Sequence, residues 1–158
     1  MTDTSENNDK MNGSNARSAA RLAAVQALYQ LRVDKDTNPK KVVAEFLNHR
    51  FGLEVEGDLY NEADAEFFKD LVTGTTERVA DVDDAIRGAL SEKWSLERLE
   101  LLVLSILRAG TYELMARVDV PTKVIINEYV DVAHAFFAQT EPGFINGVLD
   151  RISKSLRE

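Results

Sequence analysis

Apolar side chains recur every three or four residues along most of the chain, the spacing of one face of an α-helix. The pattern predicts seven helices, over about 15–33, 39–50, 62–79, 80–90, 95–117, 121–138 and 140–157. The fifth is apolar nearly all round, which predicts a place at the centre of the fold. No segment shows the sustained alternation of a half-buried strand. The sequence therefore predicts an all-α fold, a single bundle of about seven helices.

Length and composition indicate one domain that follows a short N-terminal tail. The chain has 158 residues, of which 44% are hydrophobic and 29% charged, as expected for one globular domain. Residues 1–14 carry almost no large apolar groups, so we expect a disordered tail, with the domain over 15–158. The apolar run 101–107 is too short to span a bilayer, and the N-terminus lacks the apolar core of a signal peptide. A cytoplasmic protein is expected.

Motifs of catalysis and cofactor binding are missing from the sequence. No glycine precedes Lys-Ser or Lys-Thr, and neither GxGxxG nor GxSxG occurs. There is no cysteine, which excludes disulfides and thiolate metal sites. His49 and His134 lack partners at metal-ligand spacing. We expect no enzyme, no metal and no cofactor.

The distribution of charge points to a binding function. The net charge is -8, yet residues 11–33 hold Arg17, Arg21 and Arg32 and no acidic residue. Arg17 and Arg21 lie about 40° apart around a helix, and Tyr29 lies about 80° from Arg21. Cations for phosphates beside a flat ring for an unstacked base suit single-stranded RNA. The same residues also fit a solvated helix face and a buried tyrosine, so the pattern alone leaves both open.

Two stretches carry a family resemblance. They comprise Ala24–Tyr29 in the first, and in the second Ile106–Ala109, Tyr112–Leu114, Asp119–Pro121, Ile126–Glu128 and Phe144–Asp150. Their order and spacing closely resemble the NusB family of transcription antitermination factors. The match is specific over about 95–157, whereas 34–90 is similar only in helical pattern. The resemblance implies an all-helical fold of two packed subdomains, with no catalysis and no cofactor.

The resemblance also implies partners. Members of the family bind the single-stranded boxA element of nascent RNA together with NusE, which is also a small-subunit ribosomal protein. The complex helps RNA polymerase to read through terminators in ribosomal RNA operons. The expected partners are therefore boxA RNA, NusE and the RNA polymerase antitermination complex. No membrane contact is expected, and a homodimer of the free protein stays open.

The resemblance assigns an RNA surface residue by residue. Arg17 and Arg21 are expected to contact phosphates, and Tyr29 and Phe144 to contact bases. Gln26 is expected to supply a hydrogen-bonding group. Phe144 lies in the first turn of the last helix, where free backbone N–H groups favour anions. The alternative for Phe144 is packing in the core.

Two charged residues of the same motifs predict a structural contact. Arg108 and Glu128 lie in the fifth and sixth predicted helices. We expect an ion pair, buried or half-buried, that joins these two helices. Removing one partner of a buried pair costs roughly 3–5 kcal/mol, so the predicted role is stability.

This chain departs from its relatives at two places in the RNA surface. Several relatives have a denser arginine run, whereas Ser18, Ala19 and Ala20 separate Arg17 from Arg21 here. Some relatives place a lysine directly before the phenylalanine, where this chain has Gly143. Both differences remove phosphate contacts, so we expect RNA binding to depend more on NusE.

Two other classes of protein remain open. One is a helical interaction module or homodimer without RNA binding, which the negative net charge and the thinned arginines favour. The other is the NusB-like domain found fused to ribosomal RNA methyltransferases. Seven residues follow Arg151, which leaves no room for a second domain, so that reading would require a fragment.

Overall fold

The computed structural model describes residues 3–49 and 62–157, with side chains described over 16–49 and 64–157. This part of the chain contains α-helices, one 3-10 turn and no strand, which confirms the all-α prediction. The helices are α1 (Asp3–Val33), α2 (Pro39–His49), α3 (Glu62–Glu77), α4 (Val79–Ala89), α5 (Leu101–Ala116), α6 (Thr122–Phe136) and α7 (Glu141–Leu156). The 3-10 turn, Leu96–Arg98, precedes α5.

The largest difference from the predicted boundaries is at the first helix. The backbone of α1 is helical from Asp3, whereas the pattern predicts a start at Asn15 and a tail over 1–14. Periodicity detects only the part of a helix that buries a face, and residues 3–14 have almost no apolar groups to bury. Mobility of that segment stays a prediction. Residues 50–61, between α2 and α3, lie outside the described part of the chain.

The helix expected to start behind Ser95 is divided. Glu100 has an extended backbone and breaks the pattern, and α5 begins after it. Its carboxylate accepts hydrogen bonds from the backbone N–H groups of Leu102 and Val103, at 3.0 and 3.3 Å. An acidic cap is favourable at a helix N-terminus, where donors lack partners. The prediction of one helix over 95–117 is therefore wrong in its first turn.

The central position predicted for the apolar helix is confirmed. Every side chain of α5 from Val103 to Leu107 and from Ala109 to Leu114 is buried. Helices α1, α2 and α3 pack against one another, α4 to α7 form a second group, and α5 contacts both α1 and α3. Full burial of each large aliphatic side chain in this interface contributes about 1.5–3 kcal/mol. The two groups are the two packed subdomains.

Arg157, the C-cap residue of α7, fixes the connection between α5 and α6. The guanidinium of Arg157 donates to the backbone carbonyls of Leu114, Arg117 and Val120, at 2.9, 2.7 and 2.7 Å. The C-terminal carbonyls of a helix have no partner within the helix, so a cation there is favourable. Arg157 thereby holds the segment that carries the Asp119-Val120-Pro121 motif.

Candidate nucleic-acid interface

Three arginines surround one buried phenyl ring between α1 and α3. The guanidinium carbons of Arg17, Arg21 and Arg117 lie 4.7, 5.1 and 5.0 Å from the ring centroid of Phe67. A cation within about 6 Å of an aromatic face is attracted by the ring quadrupole. Phe67 thus holds three cations close together, and these differ in whether a carboxylate pairs with them.

Arg21 is used inside the protein. Its side chain is only 3% exposed, and its Nε and Nη2 atoms donate to the two carboxylate oxygens of Glu113 at 2.9 and 2.7 Å. In such a bidentate pair, two N–H groups of the guanidinium donate in parallel to the two carboxylate oxygens. The structure thus assigns Arg21 a structural role in place of the predicted phosphate contact. Spacing places Arg17 and Arg21 on adjoining faces of α1, but α5 covers the face of Arg21.

Further polar groups extend this buried pair. Tyr129 donates its hydroxyl to Glu113 at 2.8 Å, and Glu128 lies 3.7 Å from Arg21. Burial, followed by the charge of Glu113, raises the pKa of Tyr129 well above its usual value. Burial alone would lower the pKa of Arg21, but its hydrogen bonds and the charge of Glu113 raise it overall. The network joins α1, α5 and α6 as one charged, hydrogen-bonded unit.

The predicted ion pair between Arg108 and Glu128 is wrong. Arg108 donates twice to Asp83 of α4, with both distances 2.8 Å. Glu128 instead accepts the hydroxyl of Ser18 at 2.8 Å and faces Arg21. The physical reason is that α4 packs beside α5 and supplies a nearer carboxylate. Each residue keeps a structural role, but with a different helix.

Arg17 differs from the other two arginines in its lack of a carboxylate partner among the described side chains. Among the side chains described over 16–49 and 64–157, no acidic group lies within ion-pair distance of it. It is half-buried over Phe67 and lines an open cleft of about 220 Å³. The other residues that line the cleft are Arg21, Asp119, Val120, Pro121, Val124 and Glu128. A cation fixed on a ring without a counter-ion is a suitable contact for an external phosphate.

The aromatic residue predicted on α1 lies at the surface. Tyr29 is 36% exposed, so it is not a core residue. It lies twelve residues after Arg17, about 18 Å along the helix. Gln26, one turn earlier, has a buried carbonyl oxygen without a hydrogen-bond partner among the described residues. An unpaired buried acceptor costs about 1–3 kcal/mol, so rotation toward a donor on a ligand would be favoured.

Phe144 lies at a second aromatic surface on the other subdomain. It is half-buried against the core at the start of α7, and its ring centroid lies 5.5 Å from that of Trp94. The guanidinium carbon of Arg98 lies 5.9 Å from the Trp94 ring. Phe144 therefore packs partly on the core, the alternative given for it, and its contact with a base stays a prediction. The sequence analysis assigns no role to Trp94. The feature that could have drawn attention to it is its position as a lone tryptophan in a polar turn.

The residues predicted to bind RNA thus occupy three places rather than one cluster. Arg17 and the buried Arg21 surround Phe67, Gln26 and Tyr29 lie further along α1, and Phe144 lies at the start of α7. Helix α5 lies between α1 and α7 and packs against both. Such separation suits an extended strand, since single-stranded binding sites cover several nucleotides.

Two kinds of site are missing from the described part of the chain. No group of three or more potential metal ligands occurs among residues 3–49 and 62–157. No helix in that same part is long and apolar enough to cross a membrane.

Comparison with known proteins matches this geometry to one family. A family model described as NusB family matches residues 18–154. The transcription antitermination protein NusB of Allorhizobium ampelinum is 50% identical over 155 residues, 98% of this chain and 96% of that protein. The NusB of Agrobacterium fabrum is 51% identical over 90% of this chain and 86% of its own length.

Solved structures agree with the sequence relatives. T. maritima NusB is 32% identical and has a TM-score of 0.78, with 90% of this chain and 93% of that chain covered. A NusB chain in a complex of antitermination factors NusB and NusE with dsRNA has a TM-score of 0.75 at 25% identity. The match covers 89% of this chain and 98% of that one. The family consists of transcription factors, not enzymes. This chain belongs to the NusB family of transcription antitermination proteins.

Proposed function

We propose that this protein binds the boxA element of nascent ribosomal RNA operon transcripts together with NusE. In the resulting complex, RNA polymerase reads through terminators. Two observations support the partners: family membership over residues 18–154, and a similar NusB chain solved with NusE and dsRNA. The function places the protein in the cytoplasm, beside the transcribing polymerase.

One observation carries the RNA-binding part of the proposal. Arg17 is held over Phe67 at 4.7 Å, without a carboxylate partner among the described side chains. The two other arginines at this ring are neutralised, Arg21 by Glu113 and Arg117 by Asp70, at 2.7 and 3.0 Å. Arg17 is therefore the one of the three cations that is available to a phosphate.

The acidic surroundings explain why a second protein is needed. Asp119 and Glu128 line the same cleft as Arg17, and the chain carries a net charge of -8. Like charges repel a phosphate backbone, so the RNA gains little from this chain alone. NusE then supplies the remaining contacts, which agrees with the weak RNA binding expected from the thinned arginine run.

The decisive experiment is a titration of fluorescein-labelled boxA RNA with this protein, in the presence and absence of NusE, followed by anisotropy. NusE is expected to tighten binding, and an RNA of scrambled sequence is expected to bind more weakly. Binding that is absent in both cases would leave the helical interaction module or homodimer as the function. Sedimentation of the same samples distinguishes these two alternatives.

The salt dependence tests the electrostatic part separately. With Arg21 paired inside the protein, we expect about two or three phosphate contacts in the complex with NusE, which predicts a slope of about -1.4 to -2.1 for log affinity against log salt. A flat response would show that no arginine of α1 contacts phosphate. A much steeper slope would show that Arg21 leaves its pair with Glu113 on binding.

A further inference from the structure

Trp94 is exposed in a way that the fold does not require. The residue lies in the turn between α4 and the 3-10 turn and is 45% exposed. Its ring packs against Phe144, at 5.5 Å between centroids and 52° between planes. A large aromatic side chain left half in water loses much of the free energy that burial would supply. An external partner for the open part of the ring would recover that free energy.

The surroundings of Trp94 offer contacts for a base and for its phosphate. The guanidinium of Arg98 lies 5.9 Å from the indole ring, and Arg98 also donates to the carbonyl of Lys93 at 2.8 Å. Phe144 lies in the first turn of α7, where the N-cap residue Thr140 makes no side-chain capping hydrogen bond. A Cβ atom added at Gly143 in that turn would meet nothing within 4 Å. The backbone there is open to a ligand.

From this arrangement we infer that Trp94 is a second base-stacking residue, which together with Phe144 holds an unpaired base of the bound RNA. The inference rests on the proposed function and adds a binding residue to it. Every base has a π-face, so an exposed indole ring stacks on any of them. The contact with Phe144, at 5.5 Å between centroids, restricts the orientation of the indole.

The charges near Trp94 indicate that stacking, rather than attraction of phosphate, is the main contribution of this surface to RNA affinity. Lys93 and Arg98 each follow a glutamate in sequence, Glu92 and Glu97, so the formal charge of these four residues is zero. Glu141 adds a negative charge at the first residue of α7. Stacking is not screened by salt, whereas a contact between a cation and phosphate is. The effect of Trp94 on affinity should therefore stay constant as salt rises, unlike that of Arg17.

The fluorescence of the native protein tests the inference directly. Trp94 is the only tryptophan of the chain, so its emission reports this turn alone. Unlabelled single-stranded boxA RNA is titrated into the protein with NusE present, and the same titration of Trp94→Phe supplies the background. We expect quenching of the Trp94 emission with the same midpoint as the anisotropy curve of labelled RNA.

Matched variants supply the second readout. Trp94→Leu keeps apolar bulk but loses the ring, and it should bind RNA about five- to 100-fold more weakly. Trp94→Phe should retain most of the affinity. Leu156→Ala removes a similarly exposed apolar side chain at the far end of α7 and should change affinity by no more than about twofold. Thermal unfolding of each variant confirms that the helices remain intact.

The outcomes separate this inference from the proposed function. RNA binding with unchanged Trp94 emission and native affinity in Trp94→Leu would overturn the inference alone. A change of emission on addition of NusE but not of RNA would make the surface a protein contact, which also overturns it. No RNA binding under any condition would overturn both. If Trp94→Leu fails to fold, the emission of the native protein decides.

Discussion

Arg21 and Glu113 join α1 to α5 through a bidentate ion pair in the interior of the protein. The two hydrogen bonds measure 2.9 and 2.7 Å, and the side chains are 3% and 0% exposed. Breaking a buried pair leaves a charge without compensation, at a cost of about 3–5 kcal/mol. We therefore expect Arg21→Gln to lower the free energy of unfolding by about that amount, as measured by urea denaturation.

Arg17→Gln is the matched control, because the same substitution one turn earlier touches no carboxylate among the described residues. Its unfolding free energy should stay within about 1 kcal/mol of the native value, since a cation over a ring contributes little more than that at a partly exposed site. RNA affinity should fall and the salt slope should become shallower by about 0.7. A stable Arg21→Gln protein that has lost RNA binding would contradict both the structural role of Arg21 and the choice of Arg17 as the phosphate contact.

A second prediction concerns the segment between α5 and α6. Arg157 donates to three backbone carbonyls there, those of Leu114, Arg117 and Val120. Hydrogen bonds from a charged donor contribute about 1.5–3 kcal/mol, so Arg157→Gln should lower the unfolding free energy by at least about 2 kcal/mol. Amide hydrogen exchange should show earlier opening of residues 117–120. The change should also weaken RNA binding, because Val120 and Pro121 line the Arg17 cleft.

Lys154→Gln provides the control for that change on the same helix. Lys154 pairs with Asp150 one turn away, at 3.2 Å and with both side chains more than half exposed. Exposed pairs of this kind contribute about 0.3–0.5 kcal/mol. Equal losses of stability in Arg157→Gln and Lys154→Gln would mean that the carbonyl contacts are not what holds the segment.

A third prediction follows from the phenol of Tyr112. Burial, and next the hydrogen bond to Asp70 at 2.7 Å, raise the pKa of Tyr112 from 10.0 to about 12. The folded protein therefore holds this proton more tightly than the unfolded chain does. The resulting stabilisation is complete below pH 10 and is lost as the pH rises through 12. Tyr129 shifts in the same direction.

Urea denaturation between pH 8 and pH 12 measures this loss. Tyr112→Phe has no proton to lose, so its stability should be lower at pH 8 but should decline less steeply above pH 10. The absorbance of tyrosinate should likewise show Tyr112 ionising late in the native protein. Parallel declines of the native protein and Tyr112→Phe would refute a role for this hydroxyl.

Local sequence signals predicted the helices well but not what covers them. Pro39, Pro121 and Pro142 mark helix starts, and the structure begins the corresponding helices within a residue or two of them. The face of α1 that becomes buried depends on α5, whose Glu113 is 92 residues from Arg21. No periodicity within α1 contains that information. Arg17 and Arg21 therefore look alike in sequence and differ in the fold.

The same limit explains the aromatic surface. Phe144 was found through the family motif, whereas Trp94 lies 50 residues earlier in a polar turn without periodicity. Only the packing of α7 beside the end of α4 brings the two rings together. Arg108 shows the converse error, because helix adjacency inferred from motifs selected Glu128 when Asp83 of α4 was the nearer acid.

The last prediction is a gain of function at Gly143. The residue is exposed in the first turn of α7, next to Phe144, and an added Cβ atom meets nothing within 4 Å. Gly143→Lys places a cation directly before Phe144. A lysine near a helix N-terminus costs about 0.3–1 kcal/mol of stability. RNA affinity should rise, and the salt slope should steepen by about 0.7 for one further phosphate contact.

Gly88→Lys separates a local contact from a general change of charge. Gly88 is also exposed, and a Cβ atom there likewise meets nothing within 4 Å. It lies near the end of α4, and both variants raise the net charge by one. If RNA approaches the start of α7, only Gly143→Lys should tighten binding in the anisotropy titration with NusE. Equal tightening by both variants would mean that RNA affinity depends only on the overall charge of the protein. That result would remove Phe144 from the proposed interface.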